Sequence, residues 1–370
     1  MLYPIIMAGG AGTRLWPIST KGTPKQIYPL LDGETLLQKT WKRLRRGFPA
    51  NHIFVSTGEG LIFEAERQLK GLLKENIVAE PARRGTAPAL ALTLLAISKR
   101  DPKATFIYIN ADNYVIKEDE FLRLLRVAER VVVKKPDYTL LIGVNPTYPE
   151  TGYGYIKMGA QAMRVGSDEV FEVERFVEKP DIVTARKFLR RWEYLWNPTL
   201  VVARADHFLN LYRTHLPGMW THLSKIARSF NTPKDQEVLK REFKRIEAET
   251  IDYGILEKEK KMLVLPGNFG WTDVGNWKTV HDVLADQKNI KALKHKSKDT
   301  NICKAGKCVS VDSSGNMIYS LSGKLVALAG VKNMILIESE NALLLCPKNR
   351  AQDVKKLVEN LEKKGMKEYL

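Results

Sequence analysis

The sequence predicts an α/β protein with a mixed, mostly parallel sheet flanked by helices, followed by a small C-terminal β domain that ends in a helix. Three observations support this prediction. In the first half, short apolar runs alternate with amphipathic helical patterns, which is typical of βαβ units. From Thr151 the apolar runs follow one another directly, as antiparallel strands do. After about Gln287, short β-type runs with turn signals lead to one charged helical stretch.

The elements of the first half can be placed from the spacing of their apolar residues. Strands are predicted at four apolar runs, 2–7, 52–57, 105–110 and 138–144. Helices are predicted to begin at Leu36 and to occupy 59–74 and 118–134. Ligands of parallel sheets bind beyond the carboxyl ends of the strands. The residues just after Met7 and Asn110 are therefore candidates for a functional site.

The rest of the chain follows different patterns. TGYGYIKMG and VFEVERFVEKP predict antiparallel strands, and helical stretches follow between Pro180 and Lys258, interrupted by NPTLVVARAD. The β-type runs are CVSVDSSGNMIYS, KLVALAG and NMILIESENALLLCP, and 350–369 is predicted to form one helix. We place the domain boundary after residue 288, which gives a large domain of residues 1–288 and a C-terminal domain of residues 289–370. A domain this small buries little surface alone, so we expect it to help form a homodimer.

The composition excludes several classes of protein. The chain has 370 residues, 44% of them hydrophobic and 27% charged, which is ordinary for a globular protein of two domains. No apolar stretch approaches ~20 residues and no basic leader opens the chain, so neither a membrane span nor secretion is expected.

The cysteines, odd in number, argue against a disulfide framework and favour a cytoplasmic location. With His295 they match no usual zinc pattern. They are Cys303, Cys308 and Cys346.

The net charge of +17 comes from 59 basic and 42 acidic residues. The basic residues are scattered along helical stretches and do not form a block interleaved with aromatic residues, so solvated helix faces are expected. A nucleic-acid-binding protein is the alternative that this charge leaves open. Anionic substrates would suit the same excess of positive charge.

The stretch MAGGAGTR raises the question of what a glycine-rich loop does directly after the first strand. Glycines let backbone N–H groups approach an anion, and Arg14 and Lys25 add the positive charge that phosphates attract. The loop lacks the third glycine of a dinucleotide-binding fingerprint and the pattern of a P-loop. It predicts a different kind of phosphate loop, with a simple tight turn as the alternative.

The run GGAGTRLWPIS followed by TPKQ resembles the signature of the sugar-nucleotide pyrophosphorylases, a family of nucleotidyltransferases with a Rossmann-like fold. Within that family, Trp16-Pro17 is most similar to the mannose-1-phosphate guanylyltransferases, also called GDP-mannose pyrophosphorylases. Further segments match in the same order, and the C-terminal residues resemble the short, β-helix-like domain of the bacterial enzymes. These segments are EPARRGTAPA (80–89), NAD (110–112), TGYGYI (151–156), FVEKP (176–180), WN (196–197), IDYGILEK (251–258) and FGWTDVGNW (269–277).

The resemblance implies an enzyme that makes GDP-mannose and pyrophosphate from GTP and α-D-mannose 1-phosphate with Mg²⁺. It implies that Arg14, Lys25, Asp112, Lys179 and Asp273 are catalytic. Asp112 and Asp273 would hold the metal ion. The nucleotide would be bound by Gly9, Gly10, Gly12, Thr13, Glu80, Gly85, Thr86 and Ala87. The sugar phosphate would be bound by Gly154, Glu178, Lys179 and Asn197.

Three positions depart from the family pattern. Gly85 stands where asparagine is common, Asn113 where histidine is common, and Pro198-Thr199 where serine-glycine is common. None of them is one of the five catalytic candidates, so we expect activity to be retained. The alternatives are a related pyrophosphorylase for another hexose 1-phosphate or nucleotide, and a non-catalytic paralogue that senses sugar nucleotides. Neither nucleic acid nor a membrane is an expected partner.

Overall fold

The computed structural model of the protein describes residues 1–10, 12–20, 24–291 and 300–370. These residues form two compact units. Unit 1 contains Met1–Gly9, Thr40–Ala111 and Val115–Trp271, and unit 2 contains Gly10–Lys39, Asp112–Tyr114 and Thr272–Leu370. The units do not follow a single cut in the chain, and the domain boundary after residue 288 stays a prediction. His295, considered above for zinc, lies outside the described residues.

The strands and helices are numbered in chain order. The strands are β1 (Leu2–Met7), β2 (Phe54–Gly58), β3 (Ile77–Glu80), β4 (Thr105–Asn110), β5 (Asn113–Val115), β6 (Thr139–Val144), β7 (Gly154–Val165), β8 (Asp168–Val177), β9 (Tyr194–Asn197), β10 (Val201–Arg204), β11 (Met262–Gly267), β12 (Trp271–Asp273), β13 (Ile302–Lys304), β14 (Lys307–Val311), β15 (Met317–Ser320), β16 (Leu325–Ala329), β17 (Met334–Glu338) and β18 (Leu343–Pro347). The α-helices are α1 (Leu36–Arg45), α2 (Ile62–Gln68), α3 (Thr86–Arg100), α4 (Glu118–Lys134), α5 (Ile182–Leu189), α6 (Ala205–His215), α7 (Pro217–Ser229), α8 (Asp235–Phe243), α9 (Trp277–Lys291) and α10 (Val354–Lys363).

Unit 1 is built on a large mixed sheet with the strand order β11-β8-β7-β9-β6-β10-β4-β1-β2-β3, in which β11 also pairs with β6. Strand β1 lies parallel to β2 and β4, and β2 lies parallel to β3. Strands β7 and β8 form the predicted antiparallel pair. All six residues of β1 are buried, as expected for a strand with parallel neighbours on both sides. The predicted α/β class with a mixed sheet flanked by helices is confirmed.

The helices of unit 1 pack on this sheet for reasons visible in their sequences. Helix α3 is apolar on nearly every side and is buried against β1, β2 and β3. Helix α4 is amphipathic, and it starts with three acidic residues and ends with Lys134, which suits the helix dipole. The register of the parallel strands brings the residues after Met7, Asn110 and Glu80 to one edge of the sheet.

Unit 2 contains the predicted C-terminal β domain. Strands β13, β15 and β17 stack in parallel in one small sheet, which β18 closes, and β14 pairs in parallel with β16 in another. The first two coils, β13–β14 and β15–β16, therefore each give one strand to each sheet, whereas β17 and β18 both belong to the first sheet. This is the arrangement of a short β-helix. Strands β5 and β12 form a separate two-stranded sheet. Buried side chains of the β-helix and of α10 share one core with Leu15, Trp16 and Trp277.

Three expectations need correction. The helix predicted at 59–74 contains a 3-10 turn and α2, which stops at Gln68 because the backbone turns away at Leu69 (ψ 80°) and Gly71 (φ 83°). The helix predicted at 350–369 is a 3-10 helix (Lys348–Asp353), α10 and a short 3-10 turn (Lys367–Tyr369), interrupted where Gly365 has a φ of 74°.

The cysteines provide the third correction. Cys303 and Cys308 form a disulfide, although the odd number of cysteines in the sequence argued against a disulfide framework. They lie on the consecutive strands β13 and β14, whose short connection brings their Cα atoms to 6.2 Å. Cys346 is a free thiol.

Among the described residues, no helix has the length and apolar character needed to cross a membrane.

Candidate active site

The centre of the candidate site in unit 2 is a buried lysine beside two carboxylates. Lys25 Nζ lies 2.7 Å from Oδ2 of Asp112 and 3.6 Å from Oδ1 of Asp273, and it donates a hydrogen bond of 3.1 Å to the carbonyl oxygen of Val274. Asp112 follows the end of β4, and Asp273 is the last residue of β12. The pairing of β12 with β5, and a bond from the N–H of Val274 to the carbonyl of Asp112, join these distant segments.

The charges of the three groups support one another. Burial by itself lowers the pKa of Lys25, but the charges of Asp112 and Asp273 outweigh burial and hold that pKa above its usual value. Burial raises the pKa of Asp273, and the charge of Lys25 offsets only part of this effect. Lys25 is only 7% exposed, so its charge is held largely out of solvent beside the two carboxylates.

The two carboxylates have the chemistry of a site for a hard divalent cation. Oδ1 of Asp273 is buried and, among the described residues, accepts no hydrogen bond within 3.5 Å; its ion-pair contact with Lys25, at 3.6 Å, is a long one that leaves lone pairs for a metal ion. The described part of the chain has no cluster of three or more His, Cys, Asp or Glu side chains that could hold a metal. Asp112 and Asp273 therefore fit such an ion as two of its ligands, with water and substrate oxygens as the others.

The glycine loop leads into Arg14 on the same unit. Gly10 and Gly12 have φ values of 99° and 62°, in the region that favours glycine. Gly12 precedes the 3-10 turn Thr13–Leu15, which carries Arg14. A Cβ placed on Gly275 would lie 2.8 Å from Oδ2 of Asp273 and 3.5 Å from Nη2 of Arg14. Arg14 and Asp273 thus border the same small space, as two groups that act on one phosphate chain would.

The base segment, 80–87, lies on unit 1. Glu80 ends β3 and is buried, and its Oε2 has no hydrogen-bond partner among the residues that the structure describes. Burial raises the pKa of Glu80 to about 7, and the charge of Arg83 lowers it slightly. A Cβ on Gly9 would lie 3.8 Å from Oε1 of Glu80. The carboxyl group of Glu80 is therefore an acceptor next to the start of the glycine loop.

The other residues of the base segment have internal partners. The N–H of Ala87 donates to the carbonyl of Glu249 (3.1 Å), and its carbonyl accepts from the Tyr212 hydroxyl (2.7 Å). The hydroxyl oxygen of Thr86 accepts from the N–H of Ile251 at 3.1 Å. Gly85 has a φ of 89°, and any Cβ there would clash with the Glu249 carbonyl, which explains why asparagine is absent from this position. Thr86 and Ala87 hold the segment in shape through these bonds.

The predicted sugar residues are brought together in unit 1. A Cβ on Gly154 would collide with Oε2 of Glu178 and lie 3.2 Å from Cβ of Asn197, so a larger residue here would displace both side chains. Strand pairing places Gly154 opposite Asn197. Glu178 forms an ion pair with Lys179, whose ammonium group also lies 5.9 Å from the ring centre of Tyr253. The Thr199 N–H donates to Oδ1 of Asn197 at 3.0 Å, with a φ of 55° at Thr199.

Asp252 belongs to the same group, although sequence reasoning gave it no role. Its Oδ1 accepts a hydrogen bond of 3.1 Å from Nδ2 of Asn197. Burial, helped by the charge of Glu178 and opposed by that of Lys179, raises the pKa of Asp252 to about 7. The recurring segment IDYGILEK was the signal that could have identified this residue.

The chain is similar to known protein families and to individual known proteins. The sequence model of the family described as "Nucleotidyl transferase" matches residues 3–289, and the model described as "MannoseP isomerase/GMP-like beta-helix domain" matches residues 306–361. The chain therefore belongs to the nucleotidyl transferase family. Enzymes of this family generally act on a nucleoside triphosphate and a sugar phosphate with a divalent metal ion.

Similar proteins include a mannose-1-phosphate guanylyltransferase of Escherichia coli K12, which is 33% identical over all of this chain and 75% of its own length. The alginate biosynthesis protein AlgA of Pseudomonas aeruginosa is 31% identical over 99% of this chain and 73% of its own. A solved structure from Thermus thermophilus, described as a mannose-1-phosphate geranyltransferase, has a TM-score of 0.84 and 28% identity over 98% of this chain and 99% of its own.

Proposed function

We propose that this chain catalyses the reaction of GTP with α-D-mannose 1-phosphate to give GDP-mannose and pyrophosphate, with Mg²⁺. The observation that carries the proposal is the buried Lys25 held between the carboxylates of Asp112 and Asp273, beside a glycine loop that bears Arg14. A structural lysine would not need a glycine-rich loop next to it, nor a second carboxylate whose oxygen it contacts only at 3.6 Å. The reactions stated in the names of similar proteins support the choice of substrates.

The reaction needs charge neutralisation more than it needs a base. The attacking oxygen of mannose 1-phosphate is already ionised at neutral pH, since the second pKa of a phosphate monoester is about 6. It would attack the α-phosphorus of GTP in line with departing pyrophosphate. Lys25 and Arg14 would stabilise the negative charge that develops on the β- and γ-phosphates. The loop glycines Gly9, Gly10 and Gly12, with Thr13, would present backbone N–H groups to the same phosphates.

Asp112 and Asp273 would hold the Mg²⁺ ion, consistent with an Oδ1 of Asp273 that accepts no hydrogen bond within 3.5 Å among the described residues. When bound, the ion supplies positive charge to the phosphate oxygens at this place. Lys25 keeps the carboxylates in a fixed arrangement by its ion pairs with both. We propose that the lysine and the metal ion share the negative charge of this pair.

For the base and the sugar, the proposal assigns the residues of unit 1. The carboxyl group of Glu80, when ionised, would accept hydrogen bonds from N1–H and N2–H of guanine. Glu178 would accept from sugar hydroxyls, and Lys179 would pair with the sugar phosphate. Gly154 and Asn197 would shape the sugar pocket, with Asp252 fixing the Asn197 amide.

A substrate panel tests the proposal. Pyrophosphate release is measured with four nucleoside triphosphates, each paired with the 1-phosphates of mannose, glucose and N-acetylglucosamine. We expect release to be fastest with GTP and mannose 1-phosphate. Faster release with another pair would identify a pyrophosphorylase of different specificity. Nucleotide binding without release from any pair would indicate the sensing paralogue instead.

We further propose that the protein is a cytoplasmic homodimer. The β-helix strands β14, β16 and β18 carry outward-facing apolar side chains that a partner copy could cover. They include Val309, Val311, Leu325, Leu343 and Leu345. Sedimentation of the full chain should give a dimer, and Leu325→Glu should shift it towards monomer; a monomeric wild type would contradict the proposal. A cytoplasmic location suits GTP as substrate and makes the Cys303–Cys308 bond subject to a reducing thiol pool.

A further inference from the structure

Arg14 is held by a residue near the other end of the chain. Its Nη1 donates a hydrogen bond of 3.0 Å to Oε1 of Gln352, which lies in the 3-10 helix Lys348–Asp353 of the same unit. The two residues are 338 positions apart. Arg14 Nη2 lies near Gly275, where a Cβ would be 3.5 Å from Nη2 and 2.8 Å from Oδ2 of Asp273. One end of the guanidinium group is thus fixed while the other faces the candidate phosphate site.

The residues next to Arg14 are also held by the C-terminal part of unit 2. The indole N–H of Trp16 donates to the carbonyl of Tyr369 at 2.7 Å. Leu15 and Trp16 are buried in one core with Val354 and Val358 of α10. The C-terminal residues therefore contact three consecutive residues of the glycine-loop signature, each through a different kind of interaction.

We propose that Gln352 is a positioning residue for the nucleotidyl transfer, which it serves by fixing the guanidinium group of Arg14 towards the triphosphate. The inference rests on the proposed function, in which Arg14 stabilises departing pyrophosphate. An arginine side chain has many rotamers, and each one lost before the reaction lowers the entropy cost of reaching the transition state. A single acceptor on Nη1 selects an orientation and leaves the remaining N–H donors for phosphate oxygens.

This role gives the C-terminal segment a part in the reaction in addition to any role in assembly. Gln352 itself is exposed and lies outside the shared core, so its side chain contributes little to folding. Its effect should therefore appear in turnover and should be absent from stability. If the contact were purely structural, replacing Gln352 would lower stability and leave turnover unchanged.

The test uses the full-length chain with the variants Gln352→Ala, Gln352→Glu and, as a matched control, Asn349→Ala. Asn349 is an exposed side chain on the same 3-10 helix. We expect Gln352→Ala to lower kcat about tenfold, with the KM for GTP changed less than about twofold and Tm unchanged. Gln352→Glu keeps the acceptor oxygen and should restore most of kcat. Asn349→Ala should match the wild type.

A double-mutant cycle connects the effect to Arg14. In an Arg14→Ala background, Gln352→Ala should cause no further loss, because the group that it orients is gone. Wild-type kcat in Gln352→Ala, or an equal loss with and without Arg14, would overturn the inference while the proposed function stands. A wild-type chain that makes no sugar nucleotide would overturn the proposed function and this inference together.

Discussion

The ammonium group of Lys25, which is buried, and the partly exposed carboxylate of Asp112 form an ion pair with an N–O distance of 2.7 Å. This pair joins the segment after the glycine loop to the residue that follows β4. Asp273 lies on the other side of the same ammonium group, 3.6 Å away. One lysine thus holds together two carboxylates that would otherwise repel each other, and its charge competes with that of a bound metal ion.

Replacement of Lys25 should affect both turnover and the response to metal. Lys25→Met keeps most of the volume and removes the charge, so we expect kcat to fall by roughly 10² or more. Without the lysine, the two carboxylates repel each other, and Tm at neutral pH should fall by about 5 °C. Mg²⁺ should then raise Tm more in the variant than in the wild type, as a thermal melt with and without the ion can show.

The control for this variant is Lys355→Met, which removes a lysine from an exposed pair with Glu359 on α10. It should leave turnover, Tm and the Mg²⁺ response close to wild type. If Lys25→Met turned over at the wild-type rate, Lys25 would be a structural residue without a catalytic role.

Asp273→Asn should shift the concentration of Mg²⁺ at which the rate is half-maximal to about tenfold higher values, because an amide oxygen is a weaker ligand for a hard cation than a carboxylate. Asp112→Asn should do the same. The measurement is the rate as a function of Mg²⁺ at saturating substrates, with Asp119→Asn on the exposed start of α4 as control. Unchanged half-saturation in both variants would show that other groups hold the metal ion.

Glu80 should make stability depend on pH. Its pKa is raised to about 7 in the folded chain by burial, whereas an unfolded glutamate has a pKa of about 4.3. Folding therefore favours the protonated form, and its stabilising effect is complete below the unfolded pKa and is lost as pH rises through about 7. Glu80→Gln cannot ionise, so its stability relative to the wild type should rise by about 2.5 kcal/mol between pH 5 and pH 8.

Denaturant unfolding of both proteins at several pH values measures this difference. Glu75→Gln provides the comparison, since Glu75 lies exposed just before β3. A constant difference between Glu80→Gln and wild type across the pH range would mean that Glu80 ionises normally in the folded protein.

Gly154→Ala should damage the sugar pocket selectively. The added methyl group would meet Glu178 and lie 3.2 Å from Cβ of Asn197, so these side chains must move. We expect kcat/KM for mannose 1-phosphate to fall by about tenfold or more, with the KM for GTP nearly unchanged. Gly218→Ala is the control, because a Cβ there meets no atom within 4 Å. If kcat/KM fell equally for mannose 1-phosphate and for GTP, Gly154 would have no sugar-specific role.

The sequence predicted local structure well where an apolar run or periodicity was long. Strands β1 and β4 and helix α4 have the predicted bounds, because burial of their apolar residues coincides with their intrinsic preferences. Helix ends that depend on a glycine conformation were missed, as at Gly71 and Gly365. The fold class followed from the alternation of elements, whereas the strand order required the three-dimensional structure.

Contacts between distant residues mark what the sequence could not predict. The pair Asp112 and Asp273 was named from a resemblance, but their approach depends on the pairing of β5 with β12. The bond from Arg14 to Gln352 depends on how the end of the chain packs on Leu15 and Trp16. The Cys303–Cys308 disulfide depends on the turn of the first β-helix coil, which a count of cysteines does not reveal. No local pattern encodes the first two contacts, and the disulfide, although its cysteines are five residues apart, depends on the conformation of the turn between them.

The central claim, that mannose 1-phosphate displaces pyrophosphate from the α-phosphorus of GTP, can be tested by following a label. The full-length protein is incubated with Mg²⁺, mannose 1-phosphate and GTP that carries ³²P at either the α- or the γ-position, and the products are separated by chromatography. We predict that the α-label appears in GDP-mannose and the γ-label in pyrophosphate. Label from the α-position in GMP or GDP without the sugar, or label from the γ-position in the sugar product or in free phosphate, would contradict the account.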